Sequence, residues 1–358
     1  MDFNLNNENE IILKVFLANN KNLLLRTILN KLIWIYHKKN VFMVQKNNLY
    51  SQLKIEWERF NKNDENKKVR IRDAAKKLNC SEAELLSLQI GKNLNYLEIK
   101  DLNVFFKKIL TIDKIMLLIR NDFVVHEKNL KTKDITFNEN SFLFKKNNDV
   151  ILKFHPGSIC HILYESKLHG KRELKSFQFF NSQGDSILKI YLKGKDYIKF
   201  SDIAKEYVID YNYQVQENLD KITSIPKIEK NLFFQNCDLK NTRTIQNNIL
   251  RSVLEKFAKE KKQISIYAIG TSSIQYHNDF IKNIVEYGPW INVIDKEFNI
   301  HALEKMLDKS MIFEYLYNDK SVYNIEFFDK NENLLMGITS LKNEIKNFNE
   351  LLINMEII

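Results

Sequence analysis

The chain alternates between two spacings of apolar residues. Residues 49–60 and 70–90 carry apolar positions every three to four residues and predict helices, separated by the polar loop Asn61–Lys68. Within the second stretch, Ser81 followed by Glu84 has the form of a capping box. Leu102 to Leu110 predicts another short helix. Beyond it the period shortens to two: Ile115–His126 and Gln178–Ile190 each predict two strands around a tight turn, and a later helix leads into the similar pairs Ile264–His277 and Glu326–Ile338.

These pairs repeat in order. His277 follows His126 by 151 residues, and Phe327 follows Phe179 by 148, so the chain is expected to be an internal duplication. Helices followed by hairpin-linked strands predict an α+β fold, a tandem duplication of two largely antiparallel sheets with flanking helices. No strand–glycine-loop–helix unit of the phosphate-binding kind occurs. The expected organisation is a helical appendage at 1–48, a first repeat at 49–220 and a second at 221–358. The connecting region, Asp202 to Thr244, is expected to hold a helix and then a break at Ser224-Ile-Pro226. Met43 is a plausible start site, which would place the residues before it outside the protein.

Composition narrows the function classes. At 358 residues, with 44% apolar and 28% charged residues and three prolines, the profile is globular and large enough for a sizeable core. The net charge of +10 accompanies a general richness in Lys, Asn and Ile, and no basic stripe interleaved with aromatics suggests nucleic acid. Cys80, Cys160 and Cys237 form neither a disulfide framework nor a Cys-x-x-Cys pair, which points to a reducing cytoplasm. Lysines and an arginine interrupt the apolar patches of 11–44 too often for a membrane span.

Several stretches resemble the HemS/ChuS haemin transport and degradation family over roughly residues 49 to 345. They are Arg120-Asn-Asp-Phe-Val-Val-His126-Glu127, Ser176-Phe-Gln-Phe-Phe-Asn-Ser-Gln-Gly-Asp-Ser-Ile-Leu-Lys-Ile-Tyr191, and Gly288-Pro-Trp-Ile-Asn-Val293. The middle one is the most specific, since family members carry a relative of Gln-Phe-Phe-Asp-x-x-Gly-Asp before an alternating strand. The resemblance implies two tandem sheets, haem as ligand, and a haem transporter or haem oxygenase as partner.

The pocket positions depart from that pattern. Where the family's axial histidine opens a His-x-Phe-Phe sequence, this chain reads Asn231-Leu232-Phe233-Phe234, and no histidine stands between His169 and His277. A neutral amide is a poor iron donor compared with imidazole, thiolate or phenolate. The family's arginine on the opposite haem face corresponds to Lys153, which keeps the charge and loses the planar fork. Met311–Tyr317 loses two cations and gains Glu314, Gly270-Thr-Ser-Ser273 loses another, and Arg243 matches a retained arginine.

Haem asks for an iron ligand, an apolar slot and cations for its propionates. Phe233 and Phe234 are candidates for the slot, and Lys153 and Arg243 for the propionates. Candidate ligands are Tyr315, Tyr317, His277 at the end of a predicted strand, and His155, two residues beyond Lys153 and so on the same strand face. Each of these residue types is more often a packing or surface group. His126 is read as structural, His301 as the start of a helix, and Lys171-Arg172 with Lys175 as an exposed hairpin loop. The favoured function is a haem carrier of iron acquisition. Degradation stays open, because ring opening needs an accessible iron face and controlled ligation. The competing reading is a retained scaffold that has lost haem and binds another anionic ligand or a protein.

Overall fold

The computed structural model describes residues 50–66, 69–170, 172–209, 238–245 and 249–358. Within the unit up to Cys80, residues 50–62 are helical, with Trp57 stacked on Phe60 at 5.7 Å, and α1 spans Ile71–Lys77. The ammonium of Lys77 lies over the Phe60 ring.

The unit Ser81–Ile358 carries the duplication. It opens with α2 (Glu82–Ser87), where Ser81 and Glu84 form the expected capping box. The first repeat continues through β1 (Leu94–Leu97), α3 (Leu102–Ile109), β2 (Lys114–Arg120), β3 (Val124–Lys131), β4 (Ile135–Asn138), β5 (Leu143–Lys146), β6 (Asp149–Phe154), β7 (His161–His169), β8 (Arg172–Phe180), β9 (Ser186–Leu192) and α4 (Tyr197–Lys205). The second runs in the same order: β10 (Asp238–Ile245), α5 (Leu250–Glu260), β11 (Ile264–Ile269), β12 (Ser273–Asp279), β13 (Ile284–Tyr287), β14 (Trp290–Ile294), β15 (Phe298–Leu303), β16 (Lys309–Tyr317), β17 (Lys320–Phe328), β18 (Leu334–Thr339) and α6 (Ile345–Asn354).

The sheets do not coincide with the repeats. One sheet has the order β1-β7-β8-β9-β2-β3-β15-β14-β13 and the other β10-β16-β17-β18-β11-β12-β6-β5-β4, nine strands each and antiparallel at every pairing. Each repeat therefore donates a three-stranded meander to the sheet of the other. The exchange covers the strand edges of β3 and β12, which would otherwise present unpaired backbone groups.

Hairpin geometry fixes the repeat offset. Asn121 N–H donates to Val124 O, and Gly270 N–H donates to Ser273 O, an offset of 149 residues. The β8–β9 turn, with Asn181 Oδ1 accepting from the amides of Gln183 and Asp185, matches the β17–β18 turn at 148, where Asp329 Oδ1 accepts from those of Asn331 and Asn333. Both hairpins carry a bulge at the same place, Phe179/Phe180 and Phe327/Phe328. The offset of 151 that pairs His126 with His277 is thus two residues out of register: the turn places Lys128 opposite His277 and Gln275 opposite His126.

The sheets meet through their inner faces at β2, β3, β11 and β12. Helices fill the space beside this contact: Phe105 and Phe106 of α3 pack edge-on or stacked against Phe177 and Phe179 of one sheet, and Phe106 also reaches Phe144 and Phe154 on the exchanged strands of the other. Polar groups stitch the contact. Gln275 Nε2 donates to Leu117 O at 3.2 Å and Ser273 Oγ to Ile187 O at 2.6 Å. Asn121 is the densest junction, for its Oδ1 caps the amides of Phe123 and Val124 while its Nδ2 donates to Ile269 O at 2.9 Å and Leu335 O at 2.8 Å.

Two predicted elements differ. His301 lies within β15, where Nδ1 meets Asn292 Oδ1 at 2.6 Å; strand pairing with β3 and β14 overrides a local helical spacing. Lys175 is buried, its ammonium bound to Ser201 Oγ, Tyr197 O and Glu173, so it ties β8 to α4 rather than joining an exposed basic loop. The break at Ser224-Ile-Pro226 falls outside the described residues.

Replacing Asn121 by Asp would keep the turn-capping acceptor while setting a carboxylate against two carbonyls. We expect this to cost about 3 kcal/mol, the scale of stranded buried partners, seen as a lower urea midpoint with an unchanged slope.

Candidate functional site

Strand register sorts the candidate residues onto faces, because directly paired residues share a side and alternate residues along a strand return to it. On the β10–β18 sheet, Lys153 pairs with Ile274; Ile274 shares its side with Tyr276, which pairs with Tyr267; Tyr267 pairs with Gly337, Gly337 with Glu326, and Glu326 with Met311. Along β16 the same side continues through Phe313, Tyr315 and Tyr317. This is the outer face, away from the sheet–sheet contact.

Lys153, Tyr315 and Tyr317 therefore share one face. Five inter-strand steps separate β6 from β16, on the order of 24 Å along the sheet, so the lysine and the tyrosines flank the face rather than meet at one atom. Tyr315 is buried against Val322 and Ile345 and stacks on Phe313, whereas Tyr317 is half-buried with the Lys342 ammonium 5.7 Å from its ring.

Between them lies a polar network that sequence reasoning missed. Tyr267 lies flat across Gly337, where an added Cβ would sit 2.2 Å from the ring, and its hydroxyl reaches both Asn324 Oδ1 and Glu326 Oε1 at 3.1 Å. Asn324 Nδ2 also donates to Glu326 Oε1. Burial, and then the Glu326 carboxylate, push the phenols of Tyr267 and Tyr276 upward, so both stay protonated and Tyr267 serves as a donor. The legible signal was the alternation Asn324, Glu326 against Ile325, Phe327: two polar residues on one side of a strand whose other side is core.

The remaining candidates stand elsewhere. Arg243 pairs with Ile312, an inner-face core residue, and is itself exposed on β10. His155 is exposed one residue beyond the end of β6 instead of on its face, its ring lying against Gly157. His277 sits inside β12 rather than at its end, on the inner face: Nε2 donates to Phe280 O, Nδ1 accepts from Lys128 Nζ at 3.3 Å, and the ring stacks on Phe298 at 3.8 Å. Asn231, Phe233 and Phe234 lie outside the described residues.

His126 is fully buried, 4.9 Å from the Phe298 ring, and neither ring nitrogen has a hydrogen-bond partner among the described residues. Burial and the nearby Lys128 hold both His126 and His277 well below the usual imidazole range, so both are neutral.

On the outer face of the β1–β9 sheet, Glu82 of α2 forms a buried ion pair with Lys189 at 2.6 Å. Gln178 Nε2 donates to Glu165 Oε2 on the same side. Lys189 and Gly337 are repeat counterparts, as are Gln178 and Glu326. The two outer faces have thus acquired different chemistry on one scaffold: an occupied ion pair on one, a phenol–carboxylate network on the other.

The family model of the haemin-degrading HemS.ChuX domain matches twice, over residues 79–207 and 227–354. The chain belongs to this family. It is 23% identical over 291 residues to the hemin transport protein HmuS of Yersinia pestis, covering 72% of this chain and 83% of that protein. The hemin transport protein HemS of Yersinia enterocolitica is 22% identical with the same coverage. Among solved structures, the Escherichia coli O157:H7 heme degrading enzyme ChuS superposes with a TM-score of 0.72 at 16% identity over 85% of this chain and 99% of that one. Holo-PhuS, a heme-binding protein from Pseudomonas aeruginosa, gives 0.70 at 19% identity over 84% and 98%. These likenesses place the described strands in the fold of both proteins. No helix among the described residues is long and apolar enough to cross a membrane.

The buried histidines make the fold acid-sensitive in a defined direction. Unfolded imidazoles take up protons near pH 6.5 and the folded ones only well below it, so stability is present above pH 6.5 and lost as the pH falls. His126→Gln, which installs the residue of its repeat counterpart Gln275, is expected to flatten that loss. Urea unfolding at pH 7.5 and pH 5.5 would show a smaller difference in the variant than in the parent.

Proposed function

We propose that the protein binds haem as a carrier of haem-iron utilisation, on the outer face of the β10–β18 sheet, through an iron ligand other than the histidine of its relatives. The observation that carries this reading is the shared face. It presents apolar surface at Met311 and Phe313 beside the oxygen donors Tyr315 and Tyr317, the slot and the iron ligand that a porphyrin needs, while Lys153 lies on the far flank of the same face. Tyr317 is the better placed donor, because Tyr315 is committed to packing against Val322 and Ile345. Membership of the haemin-degrading family and likeness to named haemin transport and heme-binding proteins support haem as the ligand class.

Asn231, at the sequence position of the family's axial histidine, is the reason to expect altered ligation. The bound haem would supply its own redox chemistry; the chain's part is to hold it and limit access to the iron. Loss of the family's cations at Met311–Tyr317 and the turn at Gly270 fits a carrier better than a catalyst. The cysteine spacing, which offers neither a disulfide framework nor a Cys-x-x-Cys pair, supports a cytoplasmic site of action, and a haem transporter or a haem oxygenase is the partner class.

A haemin titration followed in the visible region tests this. The wild type should give a saturable Soret shift. Tyr317→Phe should weaken binding about tenfold or more, equivalent to roughly 1.4 kcal/mol, and Tyr315→Phe less. Asn231→His should strengthen binding and move the spectrum toward imidazole ligation. With ascorbate added, a carrier keeps its Soret band. No shift at micromolar haemin would refute the reading and favour a scaffold that now serves another anionic ligand or a protein.

A further inference from the structure

Where the exchanged meanders cross, the ends of β3 and β12 open into a cleft of about 500 Å3 that is separate from the outer faces. The repeat relation makes Lys128 and His277 counterparts, so the cleft lies on the pseudo-twofold axis, with a different residue contributed by each half. Its floor is apolar, with Phe298 and Ile151, and its volume falls in the range of small-molecule sites.

We propose that Lys128 is a nucleophilic amine that captures small aldehydes in this cleft as an imine. The geometry sets it apart from the other described lysines. Lys128 is only 7% exposed, yet it lines the cleft, and its one hydrogen bond among the described residues goes to Nδ1 of His277 at 3.3 Å. That acceptor is held in place. The Phe280 carbonyl engages Nε2, which leaves the lone pair of the neutral ring on Nδ1, and stacking on Phe298 fixes the plane.

The charged groups around the amine are largely occupied. Glu297 is paired with Lys146 and Asp279 accepts from the Phe280 amide, while Asp149 faces the cleft from the start of β6. Lys146 opposes the ammonium form, and Asp279, Glu297 and Asp149 favour it. Burial, joined by Lys146, outweighs the three carboxylates and brings Lys128 down to about 8. At pH 7 it then holds roughly 300 times more free amine than a lysine at the ordinary 10.5.

The step balances as a condensation. The Nζ lone pair attacks the carbonyl carbon while the carbonyl π pair moves onto oxygen. His277 Nδ1 relays the two protons that leave nitrogen to that oxygen, the first making the hydroxyl of the carbinolamine and the second letting it depart as water. Loss of water leaves the C=N bond, so amine and aldehyde give imine and water with no change of oxidation state.

The test is reductive trapping on the full-length protein. Propanal with cyanoborohydride, which reduces the imine to a secondary amine, is applied briefly at pH 7.0 and the sites are mapped by peptide mass. Lys128 should be alkylated at least tenfold faster than the median lysine, with a rate that rises through a midpoint near pH 8. His277→Phe keeps a ring to stack on Phe298 and removes the acceptor; it should slow trapping at Lys128 several-fold while surface lysines react as before. Alkylation of Lys128 at or below the surface rate would overturn the proposal, as would a rate in the wild type that keeps rising beyond pH 10 like that of an ordinary lysine. Haemin binding is measured on the same sample, so failure here leaves the haem reading untouched.

Discussion

The exchange of β4–β6 against β13–β15 is the constraint on which the rest of the structure depends. Each sheet ends its own repeat at β3 or β12 and is extended only by strands from the other half. Neither repeat can complete its sheet alone, and neither can move without breaking backbone ladders at β3–β15 and β6–β12. Asn121 concentrates that coupling, since one amide side chain both closes the β2–β3 turn and holds two carbonyls of the opposite sheet.

A rigid centre frees the outer faces to diverge. At equivalent positions one sheet carries Lys189 and the other Gly337. Lys189 takes the Glu82 carboxylate, and the absence of a side chain at Gly337 lets the Tyr267 ring lie across the strand. A single exchange of residue type thus decides whether a face is closed by an ion pair or floored by an aromatic ring. Isolated buried ion pairs are weak evidence of stabilisation. The Glu82–Lys189 pair is better understood as divergence of a duplicated surface than as a requirement of the fold, since Gly337 stands at the position equivalent to Lys189.

Much of the fold was legible because hairpins encode themselves locally. The two strands around Asn181–Asp185 and around Asp329–Asn333, the capping box at Ser81 and the order of helices and strands all follow from short-range patterns. The exchange was not legible, because pairing β3 with β15 is a contact between residues about as far apart as the whole repeat, and alternation in β15 reads the same whichever sheet receives it. Register was legible only approximately: aligning His126 with His277 matches residue types, whereas the turns at Asn121 and Gly270 show that Lys128 occupies the equivalent place.

The candidate site shows the same division. Alternation along β16 correctly groups Tyr315 with Tyr317, yet only the cross-strand register brings Lys153 to their face and sends Arg243 and His277 to the other. Sequence reasoning offered His277 as one candidate iron ligand while reading residues of its kind as more often packing groups. In the fold it is consumed by two hydrogen bonds and a stacked ring, and its partner is a lysine from the other repeat. A histidine whose nitrogens are both engaged by protein cannot offer a lone pair to iron without giving up one of those contacts. His277 is thus set aside as an iron ligand by its own contacts, and the proposed haem site rests instead on the outer face that carries Tyr317.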